Sequence, residues 1–309
     1  DKDHQFLYAI SEIVEYEGRA NGCLTVFKIR PDGSLHQVQQ TSAHGIGPAH
    51  LSFDQTGRFL LLANYLAGNI TVFPVLSDGS LGEPTSKVQH YGHSVNPARQ
   101  EGPHPHNIIA NPGNTLVHVT DLGLDRIVTY AFDEQTGVLK AHPEHDIHLP
   151  PGSGPRHLVF SPDGQFAFLC LELSNQVCLL QNHDGQLKKL ASYALLPEDI
   201  QGLSHAAEIR CSPNGQFVYV SNRGHDSLSV FEFNPTTLQL KRVQVIKTGG
   251  ETPRGFTLTP QGDWLVVAHQ DSHTLISFKV NTSSGLLESS HQHASTKSPV
   301  VVCFVAGGH

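Results

Sequence analysis

Charged residues are scarce in this 309-residue chain, where they make up 16% of the sequence, against roughly 25% in an average soluble protein. Long solvent-exposed helices depend on Glu and Lys, so the shortage disfavours a mainly helical protein. The formal net charge of −8 at neutral pH argues against nucleic acid as a partner and against a polybasic membrane-binding face. A small anionic ligand remains compatible with this balance, because it needs only a local cationic pocket.

Long apolar runs and disulfide-forming cysteines are also lacking. No run approaches the ~18 apolar residues of a membrane-spanning helix, so we expect no membrane partner, and the acidic N-terminus does not resemble a signal peptide. The cysteines are odd in number and lie mostly in apolar, strand-like runs, which predicts reduced core residues of a cytoplasmic protein. They are Cys23, Cys170, Cys178, Cys211 and Cys303.

An internal repeat is present instead. Six runs share an apolar strand pattern, most of them end on a polar residue, and their starts are separated by 47 to 57 residues. The runs cover residues 6–11, 59–64, 116–121, 166–171, 217–222 and 264–269. Five of them follow a second apolar strand and a tight turn rich in Pro, Gly and Asn, a pattern typical of hairpins. With the strands that follow, each unit of about 50 residues is predicted to be a four-stranded antiparallel meander.

Repeated meanders of this kind close into a β-propeller, which is the predicted fold, as one all-β domain over residues 1–309. A β-sandwich would not explain one motif recurring six times. The first unit lacks an inner strand, and residues 298–305 look like an inner strand without a blade. We therefore expect the 298–305 strand to pair with the N-terminal blade and close the ring.

Several motifs combine into a family resemblance. They are Pro-His-Pro-His at 103–106, Gly-Pro-Arg-His at 154–157, Glu-Leu-Ser at 172–174, Ser-Asn-Arg-Gly-His-Asp at 221–226 and Thr-Gly-Gly-Glu-Thr-Pro-Arg at 248–254. Together they resemble the lactonase β-propeller family, which contains propeller-type 6-phosphogluconolactonases and the carboxy-cis,cis-muconate lactonising enzyme. The resemblance implies a seven-bladed fold, so one further repeat of about 48 residues is expected before Asp1, with a six-bladed member of the family as the alternative.

The repeat also predicts where polar side chains meet. In each blade, the start of the inner strand and the end of the second strand should lie at the same mouth of the central channel. The inner-strand positions are Ala49, His106, Arg156, Ala207, Arg254 and Val300, and the second-strand positions are Glu12, Tyr65, Leu122, Glu172, Arg223 and Gln270. Charged residues are concentrated in consecutive units, which favours a functional pocket over a scaffold.

The predicted catalytic residues are His106, Arg156, Glu172 and Arg223, and the resemblance assigns a role to the same four positions. Guanidinium groups bind phosphate or carboxylate in a bidentate manner and can stabilise an oxyanion. Glu172 is suited to activate water, and His106 to exchange a proton near neutral pH. The predicted substrate-binding residues are Arg254, His104, His157 and His205. For any one of these, an ion pair or packing contact between blades is the alternative, especially for Arg254 and His157.

The resemblance implies hydrolysis of 6-phosphogluconolactone to 6-phosphogluconate, in the pentose phosphate pathway, with no cofactor. Two alternatives remain: a carboxy-cis,cis-muconate cycloisomerase and a non-catalytic propeller that binds a protein. The Pro-His-Pro-His stretch could hold a metal, but no carboxylate or cysteine stands at ligand spacing, so no metal site is predicted.

Overall fold

The computed structural model describes residues 1–200 and 202–305. In this part of the chain the regular structure is almost all antiparallel β-sheet, and the one helical segment is the 3-10 turn Pro143–His145. The described residues form two compact units. The first contains Asp1–Pro155, Asp184–Gln186 and Val305, and the second contains Arg156–His183 and Leu187–Phe304.

The first unit contains three sheets and a short hairpin. The first sheet and the hairpin comprise β1 (Phe6–Ser11), β2 (Glu15–Tyr16), β3 (Arg19–Ala20), β4 (Cys23–Ile29) and β5 (Leu35–Ser42), with sheet order β1-β4-β5 and β2 paired to β3. The second sheet runs in order through β6 (Pro48–Phe53), β7 (Phe59–Asn64), β8 (Asn69–Pro74) and β9 (Ser86–Gln89). The third runs through β10 (Pro105–Ala110), β11 (Leu116–Asp121), β12 (Arg126–Asp133) and β13 (Val138–Ala141), and β14 (Ile147–His148) also pairs with β12.

The other three sheets have four strands each, in chain order, and all of their strand residues except Pro155 and Gln186 belong to the second unit. The fourth sheet comprises β15 (Pro155–Phe160), β16 (Phe166–Leu171), β17 (Gln176–His183) and β18 (Gln186–Ala194). The fifth comprises β19 (His205–Cys211), β20 (Phe217–Arg223), β21 (Ser227–Asn234) and β22 (Gln239–Lys247). The sixth comprises β23 (Pro253–Leu258), β24 (Trp264–His269), β25 (Thr274–Val280) and β26 (Leu287–Ser295). The predicted meanders are therefore present, and the first sheet has three strands, as its missing first strand predicted.

The five predicted turns between first and second strands all form. Their last residue donates its N–H to the carbonyl three residues earlier, at 2.8 to 3.0 Å, and adopts a positive φ. In four turns this residue is glycine, which has no Cβ to clash in that conformation. In the third sheet it is Asn114, with a φ of 56°, because asparagine tolerates the left-handed region better than most residues.

Apolar side chains fill the space between consecutive sheets of the same unit. One cluster joins the fourth and fifth sheets through residues such as Phe168 and Phe231, and another joins the fifth and sixth through Tyr219 and Phe256. The buried Tyr219 hydroxyl donates to the carbonyl of Gly285 at 3.1 Å, so its polar end is satisfied. Because the apolar side chains of the strand centres are buried between sheets, polar side chains lie mainly at the strand ends.

The first strands of the sheets are irregular where the sequence analysis predicted site residues. In β10, pairing passes from Pro105–Asp121 to Asn107–Thr120, so His106 is the extra residue of a β-bulge. Arg254 is the corresponding extra residue of β23. Such β-bulges turn a side chain away from its regular direction and often occur next to active sites.

The strand predicted over residues 298–305 is absent: no strand is assigned there within the described chain. In the second unit, the segment passes beside β23, where the Val300 carbonyl oxygen lies 2.4 Å from the position that a Cβ on Gly255 would take. Pairing of 298–305 with the N-terminal blade stays a prediction that the structure does not test.

Candidate active site

A buried carboxylate between two guanidinium groups is the centre of the candidate site in the second unit. Oε2 of Glu172 lies 3.0 Å from Nε of Arg156 and 2.9 Å from Nη2 of Arg223. The side chains of Arg156 and Glu172 are 3% and 2% exposed, whereas that of Arg223 is 17% exposed. Three of the four predicted catalytic residues are thus in direct contact.

The strands of two adjacent sheets place these residues. Arg156 is the second residue of β15, and Glu172 directly follows β16, the antiparallel partner of β15. Arg223 is the last residue of β20, where it pairs with His205 at the start of β19. The start of a first strand and the end of a second strand therefore lie at the same sheet end, as the repeat predicted.

Arg156 has a second fixed contact. Its Nη1 donates to the backbone carbonyl of Ala207, in β19. The hydrogen bond from Nη1 and the ion pair with Glu172 together give the planar guanidinium a defined orientation. Such a preorganised cation can stabilise negative charge that develops on a reacting group.

Positive charge exceeds negative charge in this cluster. Burial and the neighbouring positive charge of Arg156 lower the pKa of Arg223 to about 10, with Arg254 adding to the repulsion and Glu172 opposing it. Arg223 is still protonated at neutral pH. The guanidinium groups of Arg156, Arg223 and Arg254 thus outnumber the carboxylate of Glu172. An anionic ligand would stabilise such an arrangement.

His205 and His157 both lie beside this cluster. Nδ1 of His205 is 3.3 Å from the backbone carbonyl oxygen of Glu172. Nδ1 of His157 is 3.0 Å from Oε1 of Glu208, a buried residue of β19. Each contact fixes the orientation of its histidine ring. Contact of either histidine with substrate stays a prediction.

Glu208 is the residue that sequence reasoning missed. Its Oε1 also lies 2.8 Å from Nη1 of Arg210, whose side chain is 37% exposed. The register of the repeats placed Ala207 at the site position, and Glu208 is the next residue along β19. A carboxyl group directly after a predicted site position is the sequence signal that could have pointed to Glu208.

The two remaining predicted residues, His104 and His106, lie in the first unit. His104 stacks on Tyr65 with ring centroids 4.4 Å apart, and His106 meets the same ring edge-on at 5.3 Å. Both nitrogens of His104 have protein partners: Nδ1 is 2.9 Å from the Tyr65 carbonyl oxygen and Nε2 is 3.1 Å from Oε1 of Glu101. These contacts favour a positioning role for His104 over contact with substrate.

A buried aspartate anchors the strand start that carries these histidines. Oδ1 of Asp121 accepts the backbone N–H of His104 at 2.7 Å, and Oδ2 lies 2.7 Å from Nδ1 of His90. His90 in turn lies 2.9 Å from the hydroxyl of Tyr130. The network fixes the backbone immediately before His106.

Within residues 1–200 and 202–305, no group of three or more His, Cys, Asp or Glu side chains is arranged to hold a metal ion. All five cysteines lie in these ranges and none is in a disulfide. Burial raises the pKa of the Cys170 thiol to about 12, so this thiol is a poor nucleophile. The same part of the chain contains no helix of the length and apolarity needed to cross a bilayer.

Comparison with known proteins identifies the family. The family model described as "Lactonase, 7-bladed beta-propeller" matches residues 1–304. The chain belongs to this family. The family assignment confirms the predicted fold class, an all-β propeller of four-stranded antiparallel blades, and six of its sheets lie in the described residues.

Individual relatives of the lactonase family cover nearly the whole chain. The 6-phosphogluconolactonase of Bacillus subtilis (strain 168) is 33% identical over 308 residues, which are 99% of this chain and 85% of that protein. The structure of a Pseudomonas aeruginosa periplasmic gluconolactonase has a TM-score of 0.92 and 34% identity, and covers 99% of this chain and 86% of that one. A Lactobacillus plantarum protein of known structure has a TM-score of 0.88 and 32% identity, over 96% of this chain and 84% of that one. Lactonases hydrolyse lactones, in agreement with the enzyme class predicted from the sequence.

Proposed function

We propose that this lactonase hydrolyses a small anionic sugar lactone, 6-phosphogluconolactone, to 6-phosphogluconate. The observation that carries the proposal is the buried Glu172 carboxylate held between Arg156 and Arg223, in a cluster with excess positive charge. The Bacillus subtilis relative, named for this activity, supports the choice of substrate. The reaction is a step of the pentose phosphate pathway.

The cluster contains the groups that lactone hydrolysis requires. Water attacks the lactone carbonyl carbon while Glu172 accepts its proton, which gives a tetrahedral oxyanion that Arg156 stabilises. The bond from this carbon to the ring oxygen then breaks, and the ring oxygen takes a proton to become a hydroxyl group. Arg223 holds Glu172 in its ionised form, and Arg254 binds the phosphate.

The direct test is hydrolysis of freshly prepared 6-phosphogluconolactone, followed by reduction of NADP⁺ through added 6-phosphogluconate dehydrogenase. The spontaneous rate, measured without protein, is subtracted. Gluconolactone is assayed in parallel, because the Pseudomonas aeruginosa relative is named for the unphosphorylated lactone. Higher kcat/KM for the phosphorylated lactone supports the proposal, and absence of hydrolysis above the spontaneous rate for both rejects it.

Arg254→Gln tests the assignment of the phosphate-binding residue. A hydrogen bond to a charged group contributes about 1.5–3 kcal/mol, so we expect KM for 6-phosphogluconolactone to rise about 10- to 100-fold. The kcat/KM for gluconolactone should change little, since that substrate has no phosphate. Arg30→Gln, at an exposed arginine, is the control. An equal loss with both lactones would contradict phosphate binding by Arg254.

His106 is included from the sequence prediction as the residue that protonates the ring oxygen. His106→Gln preserves hydrogen bonding but cannot shuttle a proton, and we expect kcat to fall by about 10²-fold. His93→Gln, at an exposed histidine of the preceding loop, should behave as wild type. Normal kcat for the His106 variant would remove His106 from the mechanism.

We also propose a cytoplasmic location. Five unpaired cysteines, including the exposed Cys303, are typical of a protein in a reducing compartment. Fractionation of expressing cells checks this, and recovery from a periplasmic or secreted fraction would contradict it.

A further inference from the structure

A β-bulge at Ala207 and Glu208 takes no direct part in the proposed mechanism. Pairing of β19 with β20 passes from Ala206–Asn222 to Ile209–Val220, so two residues of β19 lie opposite one residue, Ser221. A bulge of this kind re-aims the groups it contains. Here it turns a backbone carbonyl and a carboxylate of the fifth sheet toward β15 of the fourth.

The carbonyl is that of Ala207. It accepts from Nη1 of Arg156 and from Sγ of Cys170 at 3.3 Å. With Nε of Arg156 lying 3.0 Å from Oε2 of Glu172, the Ala207 carbonyl is the second point that sets the angle of the guanidinium plane. A shift of this carbonyl would therefore rotate Arg156 around its contact with Glu172.

The carboxylate is that of Glu208, which is buried. Besides His157 at 3.0 Å and Arg210 at 2.8 Å, Oε1 accepts the backbone N–H of Ile209 at 3.0 Å. The backbone N–H of Glu208 itself donates to Oγ of Ser221 at 3.0 Å. A buried carboxylate is costly without such partners, so these contacts hold the bulge in one shape and dock it on β15 through His157.

We infer that Glu208 is a positioning residue of the lactonase, which acts by fixing the Ala207 carbonyl against Arg156. The inference rests on the proposed function, because only that function assigns the oxyanion to Arg156. A misplacement of about 1 Å in a catalytic group can cost as much as 10²-fold in rate. An ion pair that merely stabilises the contact between two sheets would lack this link to Arg156.

A double-mutant cycle separates these roles. Glu208→Gln keeps the shape of the side chain but removes its charge, and it is made in the wild type and in Arg156→Ala. In the wild type we expect kcat to fall about 10-fold or more, with KM little changed. In the Arg156→Ala background the same change should alter kcat less than about twofold. Glu232→Gln, at an exposed glutamate of β21 in the same sheet, is the control and should keep kcat near the wild-type value.

Two outcomes of the cycle overturn the inference: an equal fall in kcat in both backgrounds, or unchanged kcat for Glu208→Gln. Thermal unfolding of each variant shows that it is folded at the assay temperature. If Glu208→Gln does not fold, Glu208→Asp replaces it, because it keeps the charge and shortens the reach. The aspartate variant should then show the same dependence on Arg156.

A measurement without substrate tests the positioning role of Glu208 independently of whether the protein hydrolyses either lactone. Hydrogen exchange of the Arg156 Nε–H, followed by ¹⁵N NMR, should be slow in the wild type and in Glu232→Gln, and at least about 10-fold faster in Glu208→Gln. If the wild type hydrolyses neither lactone, the proposed function fails on its own. An Arg156 signal that is equally protected in Glu208→Gln would show that Glu208 does not position Arg156.

Discussion

Arg156→Ala should lower kcat/KM for 6-phosphogluconolactone by about 10²–10³-fold, the usual loss when one oxyanion-stabilising donor is removed. The loss should lie mainly in kcat, because the interaction is strongest after charge has moved onto the carbonyl oxygen. Steady-state kinetics with both lactones measure it. The decrease should be similar for the two substrates, since both form the same oxyanion.

The buried position of Arg156 requires a control for folding. Removal of one partner from a buried ion pair commonly destabilises a protein, but here Glu172 keeps Arg223 at 2.9 Å. We therefore expect the variant to fold, with a lowered melting temperature. Arg156→Lys is the matched variant: it keeps the charge but not the planar fork, and should also lose most of the activity. Near-normal kcat/KM with normal melting would show that Arg156 forms only a structural ion pair.

Much of the fold could be predicted because its determinants are local. A tight turn depends on a few residues, and the turns at 161–164 and 212–215 place glycine at the position that adopts a positive φ. Strands alternate with such turns at nearly constant spacing, so the sheets and their strand order followed from the sequence. The strand predicted over 298–305 is different, since a strand needs a partner and a run of apolar residues does not provide one.

The candidate site could be predicted in part for the same reason. Alignment of the repeats placed Arg156, Glu172 and Arg223 at equivalent strand ends, and these three are in contact. Contacts through backbone carbonyls leave no trace in the sequence, so the engagement of His104 with Tyr65 was not predictable. Glu208 was missed because its role depends on a β-bulge, which the alternation of residues along a strand does not reveal.

Glu172→Gln should reduce hydrolysis by about 10²–10⁴-fold, the usual effect of losing a general base. The glutamine keeps the shape and can still accept hydrogen bonds from the two arginines, so KM should change little and the variant should fold. Two guanidinium groups within 3.0 Å of the carboxylate favour its ionised form, which is the form that accepts a proton from water. Glu232→Gln, at an exposed glutamate of the same unit, is the matched control and should retain wild-type kinetics. Retention of most activity in Glu172→Gln would exclude Glu172 as the base and leave it the role of aligning the two arginines.

Turnover in H₂¹⁸O then decides between lactone hydrolysis and the cycloisomerase alternative. In hydrolysis the attacking oxygen comes from water, so the wild-type enzyme should place one ¹⁸O atom in the carboxylate of the product. A cycloisomerase uses a carboxylate of its own substrate as the nucleophile and incorporates no oxygen from solvent. Mass spectrometry of the products formed from 6-phosphogluconolactone and, in a parallel reaction, from carboxy-cis,cis-muconate, corrected for the spontaneous reactions, gives the answer for the wild type. Because Glu172 acts on water in the proposed mechanism, enzyme-dependent labelling should fall in Glu172→Gln in parallel with its kcat. Formation of an unlabelled lactone from carboxy-cis,cis-muconate, with no enzyme-dependent hydrolysis of 6-phosphogluconolactone, would reject hydrolysis whatever the variant shows.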